Sequence, residues 1–354
     1  MAYTTIDDPS AYFQALSYSG AGGSSNISRT FDGNSDLQPD LTWHKSRGQT
    51  YSHYMFDSTR GVGLYLSPNL TVGDDGTSGD TTSLASFDSD GFTLAASQGI
   101  SDGSAAIACW GWKANGGTTA SNSTGDITTT VQTDSTSGFS IITYTGNNTD
   151  DQEIGHGLGA VPGFAMFKSR AGAVAGTGNW VIHHQSFSGT EYIFLTSAAT
   201  KVSTNNNFKS SPTNSIFTLG NSDVNESEDI ICYAWAPIQG YSKFGSYTGN
   251  NNADGTFVYT GFKPAWLLIK NSGATGNWRL YDNKRSPSNV AKETLVAQDT
   301  NTETNDNNEI DFLSNGFKCR ATDSNTNGNG TSHIYAAFAE QPFVSSEGVP
   351  CTAR

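Results

Sequence analysis

A threefold internal repeat is the feature that most constrains how this chain can fold. Four sequence landmarks recur in the same order three times, and the proline that opens the second of them stands at Pro39, Pro162 and Pro264. These prolines lie 123 and 102 residues apart in a chain of 354 residues. Copies of about 100 residues match small sandwich domains, whereas solenoid repeats have about 20–50 residues and cannot bury a core alone. The spacing therefore predicts domain-sized copies.

The landmarks are a Tyr-Ser/Thr-Gly motif, a proline-started apolar strand ending in lysine, a short strand of the Phe-Thr-Leu type, and an aromatic closing strand. They occupy residues 18–20, 144–147 and 247–250, then 39–45, 162–168 and 264–270, then 91–94, 216–219 and 316–319, and finally 108–112, 231–235 and 334–338. Alternation in the closing strand places Trp110 and Trp112 on one face and Cys109 and Gly111 on the other. Large residues on one face and mostly small ones on the other indicate a strand packed between a sheet and a close neighbour.

We predict an all-β chain with three tandem antiparallel β-sandwich domains of jelly-roll or lectin-like type after a short N-terminal segment. The predicted divisions are an N-terminal docking segment (1–12), repeat 1 (13–115), a flexible polar linker (116–137), repeat 2 (138–240), repeat 3 (241–343) and a C-terminal tail (344–354). We expect the aromatic rings to fill three separate interiors. Pseudo-threefold packing around the closing strands and an extended string of domains both remain open.

Helices are expected to be scarce. Asp8 and Pro9 can cap and start a short one near the N-terminus. Residues 289–298 have helical propensity, but the other repeats have no equivalent segment, so this assignment stays open.

The charge balance excludes several classes of partner. Lys plus Arg number 19 and Asp plus Glu number 33, so the formal net charge is −14. This argues against nucleic-acid binding and against docking on anionic lipid, since both need a cationic face. No apolar run approaches the roughly 20 residues that span a bilayer, and residues 1–10 lack the apolar core of a secretory signal. We expect no nucleic-acid partner and no membrane insertion.

The four cysteines are far apart in sequence, at Cys109, Cys232, Cys319 and Cys351. Zinc sites need closely spaced pairs, and disulfide scaffolds need a higher density of cysteines. We expect small buried thiols, which suit a protein assembled in a reducing cytoplasm.

Candidate metal sites are weak. Residues 32–36 have the Asp-x-Asn-x-Asp spacing of a calcium loop, but Leu37 and Trp43 stand where glycine and glutamate are required, so a polar turn is the better interpretation. Residues 74–76 and 88–91 are turn signals first. His183 and His184 point to opposite faces of a strand, and neither they nor His156 have a ligand at metal-binding spacing. We predict surface or capped histidines and no metal site.

No pattern of catalytic residues stands out. The chain has no Gly-x-Ser-x-Gly elbow and no phosphate-cradling loop with its lysine. The acidic side chains Asp223, Glu226, Glu228 and Asp229 fall in polar loops, where solvent would leave their pKa values ordinary. We predict no catalytic residues, no cofactor and no enzymatic activity, and the ligand-binding residues stay open.

Two tryptophans could contribute to sugar binding, which combines a flat ring with amide hydrogen bonds. Trp180 follows Asn179 and Trp278 follows Asn277, but both tryptophans sit in predicted strands. Core packing is therefore the favoured interpretation. In repeat 1, residues 51–56 take the same place.

The landmarks resemble those of a repeat domain in predicted proteins of marine bacteriophages. The matching stretches are residues 247–250, 264–270, 277–278, 217–220 and 234–236, and residues 5–14, 36–40 and 87–94 resemble other parts of such proteins. The resemblance extends from about Ala2 to Phe343. Repeat 1 departs most, because His44 stands where the other repeats have Phe167 and Ile269.

The resemblance implies a non-enzymatic virion structural protein, assembled in the host cytoplasm, and it carries over no catalytic residues. A tail fibre or tail appendage involved in host attachment is the first expectation, and a capsid decoration or head fibre is the second. A carbohydrate-binding adhesin and a glycan-degrading tailspike are further alternatives. The implied partners are other virion proteins and a host surface glycan, with a homo-oligomer, a trimer by analogy, as the expected assembly.

Overall fold

The structure is a computed structural model that describes most of the chain. The described residues are 2–20, 22, 26–76, 83–95, 99–101, 103, 106–172 and 177–352. The first residue of the predicted N-terminal segment and the last two of the predicted tail lie outside them. Among the described residues, no helix combines the length and the apolar character needed to cross a membrane.

Strands are the dominant regular structure of the described chain, with only one short 3-10 helix and one short α-helix beside them, so the all-β prediction is confirmed. A 3-10 helix, Pro9–Ala11, precedes repeat 1, and the Asp8 side chain accepts a hydrogen bond from the backbone N of Ser10, as the predicted cap requires. The strands of repeat 1 are β1 (Phe13–Ser19), β2 (Ile27–Arg29), β3 (Leu41–Ser46), β4 (Tyr54–Asp57), β5 (Leu64–Tyr65), β6 (Asp75–Gly76), β7 (Leu84–Asp88), β8 (Gly91–Leu94) and β9 (Ala106–Trp112).

Repeats 2 and 3 follow the same plan. Between repeats 1 and 2 lie β10 (Ala120–Asn122) and β11 (Thr129–Asp134). The strands of repeat 2 are β12 (Phe139–Thr145), β13 (Gln152–Gly155), β14 (Phe164–Ser169), β15 (Val181–His184), β16 (Ile193–Phe194), β17 (Ile216–Leu219) and β18 (Asp229–Trp235). Those of repeat 3 are β19 (Ser242–Thr248), β20 (Phe257–Tyr259), β21 (Phe262–Asn271), β22 (Arg279–Asp282), β23 (Ala291–Val296), β24 (Thr304–Leu313), β25 (Gly316–Cys319) and β26 (Ser332–Pro342), with a short helix α1 (Ser324–Asn327) before the last strand.

The main sheets of the three repeats have equivalent strand orders. They run β1-β9-β3-β4, β12-β18-β14-β15-β16 and β19-β26-β21-β22-β23, so each closing strand lies between the first strand and the proline-started strand. The smaller sets are β2-β8-β7, β13-β17 and β24-β25-β20, of which the last is continuous with its main sheet. The landmarks recognised in the sequence thus occupy equivalent places in each repeat.

The large residues of the three closing strands meet in one shared core. The rings of Trp112, Trp235 and Phe338, which are equivalent by strand pairing, have centroid separations of 5.9, 5.6 and 6.1 Å. The apolar cluster around them draws on all three repeats. The expectation of three separate interiors is therefore wrong for these large rings, although each repeat also has an apolar cluster of its own. The large rings of each closing strand are covered by the other two repeats. The three repeats therefore pack around an approximate threefold axis.

The opposite face of each main sheet packs against the smaller strands of its own repeat. These clusters contain Cys109 in repeat 1, Cys232 in repeat 2 and Cys319 in repeat 3. All three thiols are free and buried, as predicted, whereas Cys351 is half-buried. Burial raises the thiol pKa in each of the three, to about 11 for Cys319. They are packing groups rather than nucleophiles.

One segment differs from its sequence-based prediction, and a second has a structure that the sequence had left open. The expected flexible linker, 116–137, instead forms β10 and β11, which extend the main sheet of repeat 2. Thr129 and Val131 face inward and Thr130 outward, so β-branched residues supply the alternation that polarity concealed. The segment 289–298 forms β23 rather than a helix, because pairing with β22 and β24 overrides its local propensity.

Candidate functional site

The predicted candidate residues are mostly structural. The rings of Trp180 and Trp278 are 0% and 1% exposed, which confirms core packing. His183 and His184 do face opposite ways: His183 packs on Phe208 in the cluster of repeat 2, and the Nε2 atom of His184 lies 3.1 Å from the backbone O of Tyr335 in repeat 3. Both histidines, and His156 as well, are buried rather than on the surface.

The acidic candidate residues also have structural roles. Residues 88–91 form the turn between β7 and β8, as predicted. Residues 74–76, expected to form a turn, instead contain strand β6, and Asp74 forms ion pairs with Arg60 and Arg170. Asp223 and Glu226 are 3% exposed, so the expectation of solvent-exposed carboxylates is wrong for these two. No group of His, Cys, Asp or Glu side chains suited to a metal ion occurs in the part of the chain that the structure describes.

The lysine that ends each proline-started strand joins one repeat to the next. Lys45, Lys168 and Lys270 are fully buried. Their Nζ atoms donate to the backbone O of Thr300 in repeat 3 (3.2 Å), of Thr71 in repeat 1 (3.0 Å) and of Ala198 in repeat 2 (3.1 Å), respectively. The three contacts form a closed cycle around the threefold axis. Burial lowers the pKa of each ammonium group to about 8.

A second set of contacts repeats around the same axis. Trp180 Nε1 donates to Ser67 O and Trp278 Nε1 to Phe194 O, each at 3.0 Å and each into the neighbouring repeat. In repeat 1, His53 occupies the equivalent place, and its Nε2 lies 3.0 Å from Val296 O. His53 therefore replaces tryptophan as the donor, which identifies its Nε2 as the protonated nitrogen.

Two of the three contacts between repeats also contain a buried Asp–Arg pair. Asp57 pairs with Arg60 and Asp282 with Arg285, both at 2.5 Å. Each aspartate also accepts a hydrogen bond from the next repeat, Asp57 from the Tyr233 hydroxyl and Asp282 from the Trp110 indole. These carboxylates therefore have partners on two sides, as buried charges require.

The third contact, between repeats 2 and 3, has no such charge pair. By strand pairing, His184 is equivalent to Asp57 and Asp282. Phe187, three residues later, is equivalent to the two arginines. These two positions carry no charge, because burial lowers the pKa of His184 to about 4 and the ring is neutral at pH 7.

A groove of about 540 Å³ lies between repeats 1 and 3, and it is the candidate functional site. We call it the Asn283 groove. It is lined by Ser10, Phe13, Gln14, Ala15, Asp32, Gly33, Asn34, Lys263, Ala265, Asn283, Lys284, Pro287, Ala339, Glu340 and Gln341. Its volume lies within the range of about 300–1,000 Å³ that is usual for small-molecule sites.

The repeat 1 wall of the groove is the segment that resembles half a calcium loop. Gln14 fixes it by accepting from Gly33 N at 2.7 Å and donating to Ser35 O at 2.8 Å. A Cβ on Gly33 would lie 2.5 Å from Gln14 Oε1 and 2.7 Å from Ser10 Cβ, so a larger residue there would displace these side chains. Asp32 pairs across the groove with Lys284 of repeat 3 at 2.7 Å.

The repeat 3 wall presents a buried amide. Asn283 is 8% exposed, its Nδ2 donates to Glu340 Oε2 at 2.7 Å, and its Oδ1 has no hydrogen-bond partner. Lys263 completes the network by pairing with Glu340 at 3.0 Å. An unpaired buried acceptor costs about 1–3 kcal/mol, so a donor that reached the Asn283 carbonyl group would offset this cost.

The side chains at the equivalent positions in the other repeats have hydrogen-bond partners. Gln185 in repeat 2 occupies the place of Asn283, and its Nε2 donates to the backbone O of Phe244 in repeat 3. Ser58 in repeat 1 donates to Asp40 Oδ1 at 2.6 Å. In repeat 3, the Asn283 side chain is one methylene shorter than that of glutamine. Across the groove, Ala15 stands at the place that Phe244 takes opposite Gln185. The Asn283 groove is thus a local departure from the threefold pattern.

Sequence reasoning did not assign the groove or the interface lysines. A signal for the lysines was present, since an ammonium group ends an apolar strand in all three copies. The repeated Asp-x-x-Arg at residues 57–60 and 282–285 was a signal for the buried ion pairs. The free carbonyl group of Asn283 could be found only from the packing of repeat 1 on repeat 3.

The comparisons with known proteins identify the family. The family model of a domain of unknown function, DUF7483, matches residues 8–342. The chain therefore belongs to the DUF7483 family. Neither the curated proteins nor the solved structures give a match.

Proposed function

We propose that this DUF7483 protein is a non-enzymatic structural component of a bacteriophage virion. Its first role would be in a tail fibre or tail appendage that attaches the particle to its host. We also propose that each repeat is a β-sandwich domain, with the main sheet and the smaller strands as its two layers. Other virion proteins and a host surface glycan are the proposed partners, and a homo-oligomer is the proposed assembly.

The observation that carries this proposal is the use of reactive side chains for packing. The six histidines, His44, His53, His156, His183, His184 and His333, are all buried. Burial lowers the pKa of each of them. Three of the four thiols are also buried. Groups that usually perform catalysis are therefore neutral core components, which supports a role in assembly and binding.

The shape of the molecule supports a place in a symmetric particle. One chain forms a body with an approximate threefold axis, held by the cyclic contacts of Lys45, Lys168 and Lys270. Such a body can stand where three separate subunits would otherwise meet. This also favours the second candidate, a capsid decoration or head fibre, because a shell with threefold axes offers a matching position.

Locating the chain on intact particles tests the proposal. Phage particles that encode the chain would be purified, and antibody against the folded protein would be visualised by gold labelling in electron microscopy. We expect gold at the tail, and label distributed over the head would select the second candidate. Absence of the chain from purified particles, checked by mass spectrometry, would refute the virion role.

A test of enzymatic activity distinguishes the tailspike alternative. Purified protein would be incubated with host polysaccharide, and the products would be separated by size. We expect no release of oligosaccharides. Time-dependent release would contradict the non-enzymatic assignment.

A further inference from the structure

We infer that the Asn283 groove binds a neutral saccharide, with the Asn283 carbonyl group accepting a hydrogen bond from a sugar hydroxyl. This inference deepens the proposed attachment role and rests on it for its biological meaning. The physical evidence is that Asn283 lines the groove and that its side-chain oxygen is buried and has no hydrogen-bond partner. A hydroxyl is suitable because it can donate to this oxygen and accept from a neighbouring group.

The charges in the groove favour a neutral ligand. Lys263 pairs with Glu340 at 3.0 Å and Lys284 with Asp32 at 2.7 Å, so the formal charges of the two pairs cancel. A ligand with a net charge would meet equal numbers of attractive and repulsive groups. A sugar with several hydroxyls can instead hydrogen-bond to ammonium and carboxylate groups alike.

The apolar part of the lining suits the C–H face of a sugar ring. Ala15 of repeat 1 and Ala265 and Ala339 of repeat 3 line the groove, so a ring can approach the backbone closely. The ring of Phe13, also in the lining, is 2% exposed and belongs to the shared core. We therefore expect no stacking on an aromatic ring.

The repeat 2 equivalent of Asn283 suggests the decisive variant. Gln185 reaches the backbone O of Phe244 in the neighbouring repeat. Ala15 of repeat 1 is the equivalent of Phe244. Asn283→Gln would extend the amide by one methylene toward the backbone near Ala15, so the longer side chain would find a hydrogen-bond partner there and fill the groove. Asn214→Gln is the matched control, because Asn214 is exposed and does not line the groove.

The first experiment probes the full chain with an array of immobilised neutral, sialylated and sulfated oligosaccharides. We expect binding to neutral members. The strongest one would then be titrated by calorimetry against the wild type and both variants. A lost hydrogen bond and an occupied groove should weaken binding by about tenfold or more in Asn283→Gln, whereas Asn214→Gln should match the wild type. Thermal unfolding would verify that both variants fold.

A second variant keeps the test independent of the folding of Asn283→Gln. Lys284 and Asp32 form their ion pair at the surface, so Lys284→Gln should fold normally. It removes a positive charge but keeps hydrogen-bond donors. A neutral sugar should lose less than about threefold in affinity, whereas an anionic one should lose about tenfold or more.

The possible outcomes are distinct. Neutral binding that is lost in Asn283→Gln and retained in both other variants supports the inference. Binding only to acidic glycans, no binding at millimolar concentration, unchanged binding in Asn283→Gln, or selection of peptides from a displayed library without glycan binding would each overturn it. None of these results changes where the chain lies on a particle, so failure of the inference and of the proposed function can be told apart.

Discussion

The buried histidines predict that the protein loses stability in mild acid. Burial lowers the histidine pKa values to about 3 for His44, His53 and His183 and to about 4 for His156 and His184. In the unfolded chain the pKa returns to about 6.5. Between these values the unfolded state binds more protons than the folded state, so stability is complete above about pH 6.5 and falls as the pH is lowered.

The size of the effect follows from proton linkage. At pH 5 each of these five histidines should favour the unfolded state by about 2 kcal/mol relative to pH 7. Together they should reduce the free energy of unfolding by about 10 kcal/mol, which is comparable with a total stability of about 5–15 kcal/mol. Ordinary carboxylates protonate below this range, since the usual pKa is about 3.9 for aspartate and about 4.3 for glutamate.

Urea unfolding followed by tryptophan fluorescence at pH 7, 6 and 5 measures this loss. The matched variant is His44→Phe, because repeat 2 has Phe167 at the equivalent position. The Tyr18 hydroxyl donates to Ile100 O at 2.9 Å and keeps that partner in the variant. We expect the fall between pH 7 and 5 to be smaller by about 2 kcal/mol in His44→Phe than in the wild type.

Two results would refute this reasoning. One is a wild-type free energy of unfolding that changes by less than about 3 kcal/mol between pH 7 and 5, since five neutral buried rings require more. The other is an identical pH dependence in His44→Phe and the wild type. The second result would show that the His44 ring is accessible to protons in the folded state.

Three further substitutions test the contacts between repeats, each by urea unfolding at pH 7. Lys168→Met leaves the backbone O atoms of two residues without a donor and should reduce the free energy of unfolding by about 2–6 kcal/mol. The control Lys201→Met, at a partly exposed ion pair, should reduce it by less than about 1 kcal/mol. Equal losses would contradict the role of the interface lysines. Trp112→Ala should cost about 3–5 kcal/mol, because the ring lies at the threefold axis, and a smaller loss would show that the shared core can collapse around the gap. Asp282→Asn leaves Arg285 without its nearest carboxylate and should reduce the free energy of unfolding by about 3–5 kcal/mol. The double variant Asp282→His with Arg285→Phe copies repeat 2 and should lose less. A larger loss in the double variant would exclude burial of charge as the cause.

The sequence predicted the strands and their faces but not what would cover them. Alternation in 108–112 separates Trp110 and Trp112 from Cys109, and the structure follows that division. A period of two identifies which residues share a face. It does not say whether a face packs within its own repeat or against two others, because that depends on contacts more than 100 residues apart, such as Trp112 with Trp235.

Two segments show how polarity and propensity can mislead. Residues 129–131 are polar apart from one valine, yet their alternating burial and β-branching are those of a strand. Residues 291–296 contain helix-forming alanine, lysine and glutamate, but strands on both sides offer backbone partners. In both segments, pairing with neighbouring strands outweighs local composition.

The groove was beyond sequence reasoning for a different reason. Asn283, Gln185 and Ser58 are ordinary polar residues in their separate loops. Their equivalence appears only when β4, β15 and β22 are superimposed through their pairing with β3, β14 and β21. The Gln185 side chain is one methylene longer than that of Asn283, and its amide reaches a backbone O atom of the neighbouring repeat, whereas the Asn283 amide does not.

Fusion of the three repeats into one chain allows this kind of divergence. In a homotrimer every substitution occurs at all three contacts, so a groove at one implies a groove at each. Here one contact contains a histidine where the others have Asp–Arg pairs, and another contains the Asn283 groove. The shared core closes around the axis within the chain, so further copies must associate through outer surfaces. A trimer of the whole chain would then present three Asn283 grooves, and multivalent binding could make a weak individual saccharide contact effective.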